Sequence, residues 1–253
     1  MRLAPVTIDA CAVQHIGDRR EQQDRLGLFQ HPKLKKIALA VVADGMGGHA
    51  GGALAAEQVV LTAKNSLEQY SPREDEPQQM LKSCLEEGHF LIRSHRFVNE
   101  QDPHSTGVML LIEPDRLSWA HCGDSRLYRF RDKRCISHTR DHSFVEELVR
   151  RGKATAEEAA EHPNRNLLVT SLGGNEAPQI AVDQVTDLEA GDAFLLCSDG
   201  LWGYFKPDEL ARTVCSMRSR EAAAQLMEVA RLRGKGAGDN ISLIVLRFLA
   251  SPA

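Results

Sequence analysis

None of the six cysteines in this 253-residue chain belongs to a Cys-x-x-Cys pair. Cys11, Cys84, Cys122, Cys135, Cys197 and Cys215 are scattered, and four of them sit inside apolar, strand-like runs. That argues against a zinc site and a disulfide scaffold, and for buried free thiols in a reducing compartment. No apolar run approaches the roughly 18 residues of a membrane span. Met1-Arg2-Leu3-Ala4-Pro5 leads straight into a strand pattern without the apolar core of a secretory signal. The expectation is a cytoplasmic protein with no membrane partner. Charge of one sign is also missing: 31 Lys and Arg face 35 Asp and Glu, a net charge of −4. Such a chain has no global attraction for nucleic acid or anionic lipid. The local basic stretch Arg129, Arg131, Lys133 and Arg134 has no accompanying series of stacking aromatics, and reads as a solvated strand face at a hairpin tip. Internal repeats, low-complexity tracts and linkers are likewise absent.

What is present is an ordinary globular composition, 42% hydrophobic and 26% charged. At this length it supports one large domain, residues 1–253, with a sizeable core. Strand patterns cover Ile8 to His15, Leu26 to Gln30 and Ile37 to Ala43. Helical periodicity follows over residues 50–70 and again from about Gln78 to Val98. Strands return at Thr106 to Ile112, Leu117 to His121 and Arg126 to Arg131, then two short helices at Phe144 to Arg151 and Ala156 to Glu161. Further strands fall at Gln179 to Val185, Ala193 to Cys197 and Ile241 to Phe248, the last preceded by helices near Pro207 to Met217 and Arg220 to Leu232. Strands cluster instead of alternating with helices, which favours an α+β domain built on antiparallel sheets.

Two strands end alike. Val41-Val42-Ala43-Asp44-Gly45 and Leu195-Leu196-Cys197-Ser198-Asp199-Gly200 each deliver an aspartate and are expected to turn sharply at the glycine. Asp239 precedes the last strand, Asp24 precedes the second, and Asp124 sits in the tight link Cys122-Gly123-Asp124-Ser125-Arg126. Carboxylates gathered at strand ends repel one another, by roughly 4 kcal/mol for two charges at ~4 Å and an effective dielectric of 20. A hard divalent cation with oxygen ligands, magnesium or manganese, relieves that repulsion. Two such cations ~3.5–4 Å apart can bridge a water and lower its pKa, and the hydroxide formed can attack phosphorus in line. Arg19 and Arg20, just before Asp24, could supply the fork-shaped cation a phosphate needs.

With these residues in place the chain resembles the type 2C metal-dependent protein phosphatases in their compact bacterial form. The matching segments run in order. They are Arg19-Arg20-Glu21-Gln22-Gln23-Asp24, Val42-Ala43-Asp44-Gly45-Met46-Gly47-Gly48-His49 and Gly123-Asp124-Ser125-Arg126. Then come Thr139-Arg140-Asp141-His142-Ser143, His162-Pro163-Asn164-Arg165-Asn166, Ser198-Asp199-Gly200-Leu201-Trp202 and Gly238-Asp239-Asn240. The resemblance covers about residues 7–248. It implies a β-sandwich of two antiparallel sheets flanked by helices on both outer faces, a four-layer αββα arrangement. It also implies two manganese or magnesium ions and hydrolysis of phosphoserine and phosphothreonine in proteins. Carried over, Asp44 would bridge both metals, the Gly45 carbonyl would bind one, and Asp199 and Asp239 would hold the other. Asp24 would act through waters at the rim, Asp124 with Asp199 would match a weaker third site, and Arg19 would grip the phosphate. The chain departs from the pattern in keeping Asp24 as the only carboxylate of Gln22-Gln23-Asp24. It also has Met46 where eukaryotic relatives place a histidine assigned as general acid. His49 is expected to start the following helix. His142 and His162 are read as structural, Thr106 as a packing residue, Trp202 and Phe205 as core, and the helical pair at 143–162 as the family's flap.

The resulting expectation is a monomeric phosphatase acting on phosphorylated proteins and opposing a bacterial-type Ser/Thr kinase, with no nucleic-acid partner. A hydrolase of small phosphoesters and a phosphoprotein-binding pseudophosphatase are the alternatives. Retention of Asp44, Asp199 and Asp239 argues against the second of these.

Overall fold

Two antiparallel sheets stacked face to face organise the chain, whose computed structural model describes residues 6–47, 51–99 and 102–250. His49 lies outside the described residues. The first sheet has the order β1-β12-β11-β8-β9. Its strands are β1 (Val6–His15), β8 (Arg126–Arg131), β9 (Arg134–His138), β11 (Ala193–Cys197) and β12 (Ile241–Ala250). The second has the order β10-β7-β6-β3-β2. It comprises β2 (Arg25–Gln30), β3 (Ala38–Ala43), β6 (Gly107–Ile112), β7 (Leu117–Cys122) and β10 (Ala181–Val185). A two-residue pair, β4 (Gly45–Met46) and β5 (His104–Ser105), forms a separate ribbon beside it.

Strand alternation decides what each side chain packs on. In β3, Ala40 and Val42 face the other sheet and join Val108, Leu110, Phe194, Leu196, Ile244 and Leu246 in the core between the sheets. Leu39, Val41 and Ala43 face the opposite way, onto Ala56, Val59 and Ala63 of α1 (Gly51–Gln69) and Leu81 and Leu85 of α2 (Pro77–Asn99). The first sheet does the same: Leu195, Cys197, Leu243 and Val245 pack outward on α6 (Pro207–Ser216) and α7 (Ser219–Gly234). Because β3, β6 and β11 are buried on both faces, their sequences read as continuous apolar runs. The layers are therefore helices, sheet, sheet, helices. The remaining helices are short: α3 (Phe144–Arg150) and α4 (Ala156–Glu161), each capped by a hydroxyl residue, and α5 (Asp199–Trp202).

The registers bring all the acidic strand ends to one end of the sandwich. Arg25 pairs with Ala43 and Gly107 with Cys122 in the second sheet. Arg126 pairs with Cys197, and Cys197 with Leu243, in the first. Contrary to expectation, neither Asp44 nor Asp199 leads into a sharp glycine turn. Gly45 continues into β4, and Gly200 lies within the helical turn α5. Neither glycine has positive φ. Each is a point of close approach instead: a Cβ on Gly45 would lie 2.0 Å from the Gly52 carbonyl oxygen, and one on Gly200 2.0 Å from that of Asn240.

Candidate metal centre

Asp44, Asp124, Asp199 and Asp239 line one open cleft of about 490 Å³, together with Arg19, Arg20, Glu21, Gly45 and Met46. Asn166 and Leu168, from the segment after α4, close its side. Sequence positions 19 to 239 thus converge on one volume, because both sheets present their loops at the same end.

Asp44 is held by its backbone. Its N–H donates to Thr106 Oγ1 at 3.0 Å, and its carbonyl accepts from Thr106 N–H at 2.8 Å and from Ser105 Oγ at 3.1 Å. Thr106 Oγ1 is also 2.7 Å from Ser125 Oγ, next to Asp124. Thr106 is therefore more than a packing residue: it clamps the Asp44 strand end to the Asp124 link. Asp124 is held from the other side, where the Trp202 indole N–H donates to its carbonyl at 2.9 Å. The Arg126 guanidinium stacks 3.6 Å over that indole and binds Asp141 through two hydrogen bonds of 2.7 and 2.8 Å. Trp202 and Phe205 do pack against the core under α6 and α7, as expected.

The loop carrying Arg19 is fastened to the loop carrying Asp239. Asn240 accepts the Gln23 N–H at 2.7 Å and donates to the carbonyls of Ile16 and Glu21 at 2.8 and 3.0 Å. Asp18 accepts the Gly238 N–H at 2.8 Å, and its own N–H donates to the Gly238 carbonyl at 3.0 Å. Arg19 Nη2 then lies 2.5 Å from Asp239 Oδ2. Arg20 lines the same cleft without an ion pair to any described residue.

Asp24 departs from the expected place at the rim. It is 1% exposed and lies behind the cleft, accepting a 2.7 Å hydrogen bond from the Ser198 hydroxyl. Ser198 Oγ in turn accepts the Ser242 N–H at 3.1 Å, tying β2, β11 and β12 together beneath the acids. His142 stacks on His121 with ring centroids 4.6 Å apart and accepts the Gly123 N–H, while His162 packs on Phe144. His142 and His162 thus have the structural roles expected of them, and His121 supports His142.

The electrostatics are those of crowded carboxylates. Burial pushes Asp24 up to about 7, against the lowering effect of the Ser198 hydrogen bond. Burial and the neighbouring Asp199 and Asp141 push Asp124 to about 8. Burial and Asp239 push Asp199 to about 6, and burial together with Asp24 and Asp199 holds Asp44 well above the ordinary value. Asp199 Oδ1 is buried without a hydrogen-bond donor. An unpartnered carboxylate oxygen in an all-oxygen set suits a hard cation. Among the described residues, no three acidic, histidine or cysteine side chains already close round one point. Asp239 is turned to Arg19, so carbonyl and water oxygens would have to complete any coordination sphere.

A sequence model of the family described as protein phosphatase 2C matches residues 11–233, most of the chain. This chain belongs to the protein phosphatase 2C family. It is 36% identical over 210 residues to the serine/threonine protein phosphatase PstP of Mycobacterium tuberculosis, a match that covers 82% of this chain and 40% of PstP. The chain thus spans less than half the length of that relative. Among solved structures, the S. agalactiae serine/threonine phosphatase superposes with a TM-score of 0.86 at 28% identity, covering 95% of this chain and 99% of that one. The catalytic domain of PstP in complex with two manganese ions gives a TM-score of 0.80 at 29% identity, covering 97% and 100%.

Within this protein phosphatase 2C chain, the positioning residues that sequence reading missed are Asn240, Ser198 and Asp18, and it underrated Thr106. Their partners lie far away in the chain. The one local signal was position: Asn240 and Ser198 lie directly beside an acid and Thr106 beside a strand end, whereas Asp18 had none.

Proposed function

We propose that this chain hydrolyses phosphoserine and phosphothreonine in proteins, using two divalent cations, manganese or magnesium, held in the Asp44 cleft. The observation that carries the proposal is the convergence of Asp44, Asp124, Asp199 and Asp239 on one cleft with Arg19 at its mouth. Membership of the protein phosphatase 2C family and the two manganese ions of the PstP catalytic domain support it. Bound cations would act as Lewis acids that lower the pKa of water and neutralise developing charge on phosphorus-bound oxygens.

In this proposal Asp44 and the Gly45 carbonyl hold one cation. Asp44, Asp199 and Asp239 hold the other, and Asp124 with Asp199 serves a weaker third. Arg19 supplies the forked cation that orients two phosphate oxygens. Asp24 works from behind, keeping Ser198 in place under Asp199. Among the described residues no histidine lines the cleft, so the proposal assigns the leaving-group proton to water.

The partners proposed are phosphorylated proteins and the Ser/Thr kinase that makes them. The described residues would act as one monomeric catalytic unit. The six free thiols fit a cytoplasmic setting, and no described helix is long and apolar enough to cross a membrane. The deciding experiment is turnover of a phosphothreonine peptide with manganese and then with excess chelator. Manganese-dependent release of phosphate is the expected result; full activity in metal-free buffer would refute the proposal.

A further inference from the structure

The acidic cleft shares a wall with a second one. Leu168 lines the first cleft and also lines an open cleft of about 530 Å³ formed by the segment 168–179. The segment that forms this second cleft is anchored at Leu172. Leu172 is fully buried and exchanges both backbone hydrogen bonds with Ser105, at 3.0 and 2.8 Å; Ser105 is the residue whose hydroxyl braces the Asp44 carbonyl. Ser171, on the cleft wall, has Oγ 3.0 Å from His104 Nδ1, and His104 Nε2 lies 3.0 Å from Asp102 Oδ1. A carboxylate only accepts, so in the neutral imidazole Nε2–H donates to Asp102 and the Ser171 hydroxyl donates to Nδ1. His104 is also the cross-strand partner of Met46, which lines the first cleft. The wall of the second cleft is thus wired through β4 and β5 to the residues that position the acids.

The two clefts carry charge differently. The first gathers four aspartates and Glu21 with Arg19 and Arg20, whereas Glu176 is the one charged residue among those lining the second. Glu176 is exposed, and Val169 beside the opening is 46% exposed, so a carboxylate stands next to an uncovered apolar surface. That combination suits a long cationic side chain, whose methylene stem covers apolar surface while its head meets the carboxylate.

We propose that the 168–179 cleft is a specificity subsite that seats a lysine or arginine of the phosphoprotein substrate. Val169 and Leu168 cover the stem and Glu176 meets the charge. The inference rests on the phosphatase reading above. Extended peptide advances about 3.3 Å per residue and the two clefts share Leu168 in their linings, so the basic residue lies about two to four positions from the phosphorylated one.

The test is steady-state kinetics with manganese on phosphothreonine peptides carrying arginine, alanine or glutamate at each position about two to four residues to either side. Turnover of p-nitrophenyl phosphate by the same preparation is the reference. For the parent protein, arginine should exceed glutamate at one of these positions by about two- to five-fold in kcat/KM, the size expected of an exposed ion pair, and the difference should appear in KM. Glu176→Lys should reverse the preference and Glu176→Asp should keep it. Peptide turnover with no charge preference, or with one that Glu176→Lys leaves in place, overturns the subsite alone. Turnover of the small ester without turnover of any phosphopeptide overturns the phosphoprotein reading itself.

Discussion

Arg19 and Asp239 meet across 220 positions of chain, with Nη2 2.5 Å from Oδ2. The guanidinium side chain is 60% exposed, so the contact adds little to stability. Its importance is competitive. In the proposed site, a cation on Asp239 and a phosphate on Arg19 each take over one half of this pair. Arg19→Ala should therefore raise KM with a smaller fall in kcat, and lower kcat/KM by roughly 10- to 150-fold, the worth of a charge-assisted hydrogen bond. Arg19→Lys should recover part of the loss, because an ammonium lacks the fork. Arg20→Ala should be much milder. The reverse order in steady-state kinetics would move the phosphate role to Arg20.

Asp199→Asn and Asp239→Asn keep side-chain size and remove a ligand charge. Each should lose at least ~100-fold in turnover with manganese. Isothermal calorimetry should show weakened manganese binding, while the far-ultraviolet circular dichroism stays that of the parent. Near-normal turnover at saturating manganese would remove that residue from the ligand set.

The raised carboxylates make the stability of the metal-free protein fall with pH. Asp199, Asp24 and Asp124 titrate near 6, 7 and 8 in the folded chain, against an ordinary value of 3.8. The folded chain therefore binds more protons than the unfolded chain between these limits, and stability drops as pH rises from about 4 through 8. Cation binding needs the ionised forms and grows stronger over the same range. The melting temperature without metal should decline across this window, and the increment given by manganese should be larger at pH 8 than at pH 6. A flat metal-free profile would contradict the carboxylate clustering.

Asp124→Asn should leave tight manganese binding intact while lowering phosphopeptide turnover. Trp202→Phe keeps the ring under Arg126 but deletes the indole donor to the Asp124 carbonyl. It should give the same pattern in weaker form. Calorimetric loss of a tight site in either variant would reassign Asp124 to the main pair.

Thr106→Val removes the acceptor for the buried Asp44 N–H at almost constant volume. Leaving that donor unpaired costs about 1–3 kcal/mol, or about 2–4 °C of melting temperature per kcal/mol in a protein of this size. Thr106→Ser keeps the hydroxyl and should recover most of it in a thermal scan. Equal losses in the two variants would point to the methyl group and return Thr106 to a packing role.

Much of the architecture was legible because β3, β6 and β11, buried on both faces, are written as unbroken apolar runs. Ala193–Cys197 falls where that pattern puts it, and four of the five acids at strand ends, all but Asp24, share a cleft. The rest depended on contacts between distant segments. No local pattern pairs Asn240 with the loop at 16–23, Ser198 with Asp24, or Thr106 with Asp44. The β4–β5 ribbon is two residues long, too short for any periodicity. The glycines after Asp44 and Asp199 misled for a related reason. A glycine kept for closeness to another backbone looks, in sequence, like a glycine kept for a turn.

The pairing of β1 with β12 over their whole lengths, from Val6–Ala250 to His15–Ile241, sets a timetable for the molecule. β12 lies between β1 and β11, so the middle of one sheet is supplied by a strand synthesised after every other strand of the two sheets. Until then β1 and β11 have open edges, and the loop bearing Arg19 has no Asn240 to fasten it. Non-local closure of this kind is slow and leaves sticky intermediates exposed. A nascent chain should therefore remain silent toward phosphorylated neighbours until translation has passed β12, and chains stalled short of it should be substrates for chaperones and proteases.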